Sequence, residues 1–436
     1  MRKKLYLPLK IFIIYIVTTL LANFFGPWEY VQYNKIIVLG FMIIFSIFAI
    51  FGYHRGIESD VHIYYSKRPI RFNYGFRALK ILIVFMTILY FLIIIEKTIV
   101  YGVSIAPNSS IFDILTTSYG NKDFIFTYSF WLLSYIYIFD IFVKVLGIYF
   151  FNKLSFSFKA LVLLNYALSL WHVIIFDGNQ KMIGDMLIYF LIPIIIKLIN
   201  SSKKIKPKIF IISTLFAILF LGFFISNIGS RVERWNLSIE TIDGRAFSNL
   251  EHPIVRMVPT DFKKPVILFF NYFSNGYYGL YLSLNLPYES SMGMGSSFAF
   301  REIITRTFNI SDSSYSPTYG ERINDVYGYD GYSNWISIFP WIASDFTFFG
   351  AILIVSFGVF LFARAWKYSI VNRDPVSIVV FAHLTIFIMY IPNNNQLLQT
   401  KQSLIATLFM FIIWVIYRNR IVIEKDEKEI ATYKKN

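Results

Sequence analysis

Cysteine is absent from the 436 residues. That excludes disulfides, thiolate nucleophiles and cysteine-ligated metals, and leaves the redox compartment open. Histidine is scarce, and the five residues at 54, 62, 172, 252 and 383 show no metal-ligand spacing. No glycine-rich nucleotide-phosphate loop and no nucleophile elbow occurs. No metal or cofactor is therefore expected, and donor energy must arrive within the substrate. Charge is thin as well: 15% of residues are charged against 56% hydrophobic, with a mean hydropathy of +0.56. Such a composition excludes a soluble globular chain of this length.

What fills the sequence is apolar runs of the length that crosses about 30 Å of hydrocarbon. Ten spans are expected, at about 9–26, 35–53, 79–99, 124–150, 158–176, 182–199, 208–228, 345–366, 376–392 and 402–418. The first follows Met1-Arg2-Lys3-Lys4 without a small-residue cleavage site, and reads as an uncleaved helix. The expected fold class is an all-α polytopic membrane protein with about ten transmembrane helices and one large extracytoplasmic loop containing a short re-entrant or interfacial helix. The chain divides into spans 1 to 7 (1–228), the loop (229–344), spans 8 to 10 (345–418) and a tail (419–436).

Orientation follows from the basic residues. With the N-terminus inside, twenty-five of the 41 Lys and Arg flank the cytoplasmic side, and only Lys35, Lys97, Lys122, Lys181 and Lys401 occupy the opposite short loops. Both termini are thus expected in the cytoplasm, and the net charge of +15 records topology and contact with anionic lipid. The basic residues follow the membrane edges rather than forming one patch, so nucleic acid is not an expected partner.

The long outer loop holds nine basic residues, and seven of them are Arg, whereas the cytoplasmic flanks hold 9 Arg to 16 Lys. A guanidinium matches two phosphate oxygens at once where an ammonium is a point charge, so the bias points to an anionic ligand. The competing reading pairs these Arg with the loop's own Glu233, Glu240, Asp243 and Glu251. Inside the loop, "NYFSNGYYGLYLSLNL" (271–286) is too polar to span and too aromatic for an ordinary connection. Phe269, Phe273, Tyr277, Leu280, Tyr281 and Leu284 recur at three or four residues, which predicts a helix with one apolar face at the interface or re-entering the protein. Its Tyr and Asn can stack on sugar rings and bond hydroxyls, or the segment is a simple interfacial anchor.

This stretch, continuing through "PYESSMGMGSSF", resembles the signature of Wzy-type oligosaccharide repeat-unit polymerases of bacterial surface glycans. Further on, "NWISIFPWIASDFTFFGA" (334–351) resembles the family's lead into the next span, and "YIPNNNQLLQ" (390–399) a later outer turn. One departure is visible: "FDGNQKMIGD" (176–185) occupies a turn where many relatives carry an Arg, and here Lys181 is its basic residue.

The resemblance implies a membrane glycosyltransferase of the bacterial cytoplasmic membrane that joins undecaprenyl-diphosphate-linked oligosaccharides into O-antigen, capsule or exopolysaccharide. Lipid bilayer is a further partner, and the pathway's flippase and chain-length regulator are expected beside it. A hydroxyl of one repeat unit attacks the anomeric carbon of the growing chain and undecaprenyl diphosphate leaves. Positive charge must strengthen as that bond breaks, and the hydroxyl needs a base. For the clamp the choice is Arg231 and Arg234 in "GSRVERW", directly after the seventh span, with Arg256 and Arg301 second. The candidate bases are His252, Asp325 and Asp345. Histidine is the side-chain type suited to proton transfer at neutral pH, and Asp345 alternatively caps the following helix. Asn275, Tyr277, Tyr278 and Trp335 are the candidate glycan contacts.

Within the spans, Asp140 and Lys144 lie four apart and Asp185 sits in the sixth; intramembrane charges are functional candidates by default. The alternatives are a glycan ligase using the same donor, or a flippase or exporter of the lipid-linked glycan, which should line its interior with cations.

Overall fold

The computed structural model describes residues 2–59, 70–100, 128–201, 221–233, 238, 240–243, 245–311, 314–417 and 421–422. The protein is an all-α polytopic membrane protein. Seven helices are long and apolar enough to cross a bilayer: Arg2–Phe25, Lys35–Glu58, Gly75–Ile99, Tyr128–Tyr149, Phe156–Asp177, Gln180–Asn200 and Ile338–Asn372. Two shorter apolar helices, Pro375–Tyr390 and Lys401–Tyr417, complete the bundle among the described residues. Most of the run expected at 208–228 lies outside them, as does the tail beyond 422.

Pro375–Tyr390 is apolar around its whole circumference, and a helix of that kind belongs at the centre. It is buried along most of its length and packs on Tyr128–Tyr149, Gln180–Asn200, Ile338–Lys367 and Lys401–Tyr417. Lys35–Glu58 runs against Ile338–Lys367 at a separation that only glycine permits. A Cβ at Gly52 would lie 2.7 Å from the Ser356 carbonyl oxygen, and one at Gly56 2.5 Å from that of Phe360.

The helix beginning at Ile338 is broken. Thr347 has φ 64° and ψ 167°, and Ser337, just before the first turn, has φ 64° and ψ 173°. That region is adopted almost only by glycine, so each of these residues stores about 1–3 kcal/mol of strain. The Thr347 hydroxyl then accepts the Gly350 N–H at 3.3 Å, starting the spanning part afresh.

The segment 271–286 also differs from the one-faced helix expected. Thr260–Tyr272 ends in a turn, and a separate helix, Gly276–Leu284, follows. This second helix is buried on both sides. Tyr277 and Leu280 join the main core, whereas Tyr278 and Leu282 face a second cluster with Ile323, Tyr329, Ile336 and Trp341. Period alone shows one apolar face and cannot show that a loop covers the other. A small antiparallel sheet was not expected either. In it Trp28–Tyr30, after the first span, pairs with Ala246–Ser248, which pairs with Thr241–Asp243.

Candidate functional site

Three stretches far apart in sequence interlock at one end of the bundle. Gly276 faces the turn at 392–393 so closely that a Cβ there would stand 2.1 Å from the Pro392 carbonyl oxygen and 2.8 Å from Ser337 N. Gly279 meets Ile336 Cα in the same way at 2.7 Å. Backbone bonds tie the second stretch to the third, Ser337 N–H donating to Asn393 O at 2.8 Å and Ile338 N–H to Ile391 O at 3.1 Å. Asn395 Nδ2 donates to Ser296 O at 2.7 Å. The junction is buried yet polar: Asn275 Oδ1, Ser337 Oγ and Asn393 Oδ1 are all shielded from solvent without a hydrogen-bond partner.

Asp345 holds the glycine-rich loop of the first stretch. Its carboxylate accepts from Gly293 N at 2.9 Å, Gly295 N at 3.1 Å, Ser296 N at 2.7 Å and Ser296 Oγ at 2.6 Å. Both oxygens act as acceptors for one loop, which is the geometry of a clamp rather than of a proton acceptor open to substrate. His252 is similarly engaged. Its Nδ1 accepts the Ile254 N–H at 3.3 Å, capping a short helix, and its Nε2 lies 3.0 Å from Phe25 O, so the ring bridges two backbone segments. Asp325 is exposed on the helix Tyr319–Tyr327.

The aromatic expectations are corrected by burial. Tyr277 is fully buried with its hydroxyl 2.9 Å from Thr19 Oγ1. Tyr278, also fully buried, donates to Val31 O at 2.8 Å, accepts from Arg245 Nε at 2.8 Å and stacks on Tyr30 at 4.3 Å. Neither ring offers a face to a sugar; both are core residues. Trp335 is half-buried, edge-on to Tyr272 at 5.5 Å, and Asn275 is buried within the junction.

Among the arginines, Arg256 pairs with Glu251 at an exposed position, and Arg301 pairs with Glu321 at 2.9 Å. Burial raises the Glu321 carboxyl, but the Thr318 N–H and the Arg301 guanidinium outweigh it and hold it below the usual range. Arg322 likewise bonds Glu289 at 3.0 Å. These are the loop's internal pairs. Arg234 lies outside the described residues. The Arg231 Nη2 donates to Gly178 O at 3.1 Å, which brings a guanidinium to the turn at 176–185.

At that turn His172, Asp177 and Lys97, which no sequence pattern marks as a site, join Lys181 and Asp185. Asp177 Oδ2 lies 3.3 Å from His172 Nδ1, and its Oδ1 3.8 Å from Lys97 Nζ. Lys181 bonds Asp185 at 2.9 Å, and its ammonium lies 5.9 Å from the Tyr390 ring, where the third stretch begins. Deeper in the bundle, fully buried Lys144 ion-pairs with Asp140, whose carboxylate also accepts from Tyr90 at 2.9 Å. The available signal was Lys97 and Asp177 at the ends of apolar runs. Residues spaced that far apart reveal no partnership without the fold. Among the described residues no cluster of His, Asp and Glu is built to hold a metal ion. Searches against protein-family models, curated proteins and solved structures give no match for this chain.

Proposed function

We propose that this chain is a Wzy-type polymerase that joins undecaprenyl-diphosphate-linked oligosaccharide repeat units on the outer side of a bacterial cytoplasmic membrane. In this reading ten helices span the bilayer, both termini are cytoplasmic, and residues 229–344 form the outer loop. The growing glycan is the donor and a hydroxyl of the incoming unit the acceptor; the diphosphate lipid is the leaving group, so no cofactor is needed. The observation that carries the reading is the interlocking of 271–298, 334–351 and 390–399, the three stretches that resemble the family. Beside that junction the 177–181 turn gathers the Lys97–Asp177 and Lys181–Asp185 pairs and the Arg231 guanidinium, the group of the three best matched to a diphosphate.

The test is polymer length from purified protein and lipid-linked repeat unit, the substrate taken from cells lacking this chain. Ladders of joined units are expected; unchanged single units sink the proposal. A second reading, an exporter of the same lipid-linked glycan, gains from Lys97 and Lys144, cations placed inside the bundle. Cells lacking an exporter retain repeat units inside, whereas cells lacking a polymerase display single units on their surface.

A further inference from the structure

His172 is the most unusual unassigned group in the bundle. It is 2% exposed, and its Nδ1 faces the Asp177 carboxylate at 3.3 Å. A carboxylate only accepts, so Nδ1 carries the hydrogen and the neutral ring keeps its lone pair on Nε2. Nε2 has no hydrogen-bond partner in the structure. The ring borders a cavity with room for about one water molecule. Phe130, Leu133, Met182, Met186 and Gln402 line that cavity, all from the first two turns of their helices, and Lys144 reaches into it from further along the bundle. On the orientation proposed above those first turns are the outer ends. The cavity therefore lies beneath the turn that gathers Lys97, Lys181 and Arg231.

We propose that His172, oriented by Asp177, receives the proton of the attacking hydroxyl. The inference rests on the polymerase reading and adds to it a base in place of His252 and Asp345, both committed to backbone groups, and of Asp325, exposed on its helix. The acceptor oxygen bonds to the anomeric carbon as the bond from that carbon to the diphosphate oxygen breaks. The electron pair leaves with undecaprenyl diphosphate, and the hydroxyl proton passes to His172 Nε2 through a water that the cavity has room for. Asp177, whose other oxygen lies 3.8 Å from Lys97 Nζ, fixes the ring tautomer, a positioning role. Phe130 stacks on the ring at 5.4 Å and Tyr90 meets it edge-on at 6.3 Å, which holds the imidazole plane. Among the described residues the charged and titratable groups about it are Tyr90 and Lys97 from one helix, Tyr137 and Lys144 from a second, and its own Asp177.

Full-length protein with the isolated lipid-linked repeat unit, assayed across pH, tests this. The wild-type rate should rise with pH and level off. His172→Gln should lower the plateau about 10²- to 10⁴-fold, the usual weight of a general base, and abolish the rising limb. Asp177→Asn should lower the plateau while keeping the limb, displaced along the pH axis. A purely structural role would lower the rate and leave the profile's shape intact in both variants. Histidine C2–H exchange followed by mass spectrometry provides a readout independent of turnover, in which Asp177→Asn should displace the His172 titration. If His172→Gln fails to accumulate, Asp177→Asn and the exchange curve decide. A wild-type limb in His172→Gln, or an undisplaced His172 titration in Asp177→Asn, overturns the assignment. Absence of polymer from the wild-type chain overturns the polymerase reading and the base together; a normal profile in the variants removes the base alone.

Discussion

At the scale of single residues, the side chains that resemble a substrate surface turn out to be joints. Tyr278 is the clearest: its hydroxyl links Val31 O to Arg245, and the Phe variant leaves that carbonyl and guanidinium one partner short in a buried place. Tyr278→Phe should therefore lower stability by about 1–3 kcal/mol, read as thermal unfolding in detergent, with the KM for lipid-linked substrate unchanged. A tenfold rise in KM at unaltered stability would return the residue to the binding surface. Asp345 makes the same point for charge. Asp345→Asn replaces an acceptor of four hydrogen bonds and should cost about 2 kcal/mol, again without altering the shape of a pH–rate profile. Loss of the rising limb in that variant would make Asp345 a base after all. Glu321 has a pH signature of its own. Its carboxyl is held below the ordinary 4.5, so the link to Arg301 and Thr318 is fully present above pH 4.5 and fades as pH falls through the folded value. Wild type should lose thermal stability on acidification through that window, and Glu321→Gln should lose less; equal losses would show that the pair contributes nothing.

At the scale of elements, apolar length identified spans and said little about what joins them. The runs at 35–53, 79–99 and 182–199 emerge as long helices because twenty-odd apolar residues admit no other structure in hydrocarbon. Ile338–Lys367 shows the limit, since no hydropathy pattern marks Thr347 as the break. The Gly276–Leu284 helix was legible as a helix from its spacing, but its burial on both faces depends on Ile336 and on the turn at Pro392, some sixty and over a hundred residues away. The same distance hid the pairing of His172 and Asp177 with Lys97. Gly276 gives this a sharp test. A methyl group there would overlap the Pro392 carbonyl, and backbone on both sides leaves no flexible neighbour to yield. Gly276→Ala should prevent the two stretches from docking, giving little folded protein, whereas Gly75→Ala, in open space, should accumulate normally. Normal yield and melting of Gly276→Ala would mean that this junction is looser than the structure has it.

At the scale of the whole molecule, the charge asymmetry and the interlocked junction make a joint demand. If the junction is where lipid-linked glycans meet, it must face outward, and the Lys- and Arg-rich flanks must then face the cytoplasm, which is also what their number predicts. The two arguments share no residue, so they can disagree. The absence of cysteine makes the disagreement measurable, because any single introduced thiol is the only one in the chain. Cysteines at Ser59 and Ser201 lie at the ends of the helices Lys35–Glu58 and Gln180–Asn200, whose flanks are basic. Cysteines at Ser290 and Asn309 lie in the loop stretch that Asp345 holds and just beyond the helix Phe298–Phe308. A membrane-impermeant maleimide applied to intact spheroplasts should label positions 290 and 309 and spare 59 and 201 until the membrane is opened. Labelling of 59 or 201 from outside would invert the orientation. It would place Lys97, Lys181 and Arg231 on the cytoplasmic side, where a polymerase of exported glycans has no substrate, and leave the exporter as the stronger account of the cations within the bundle.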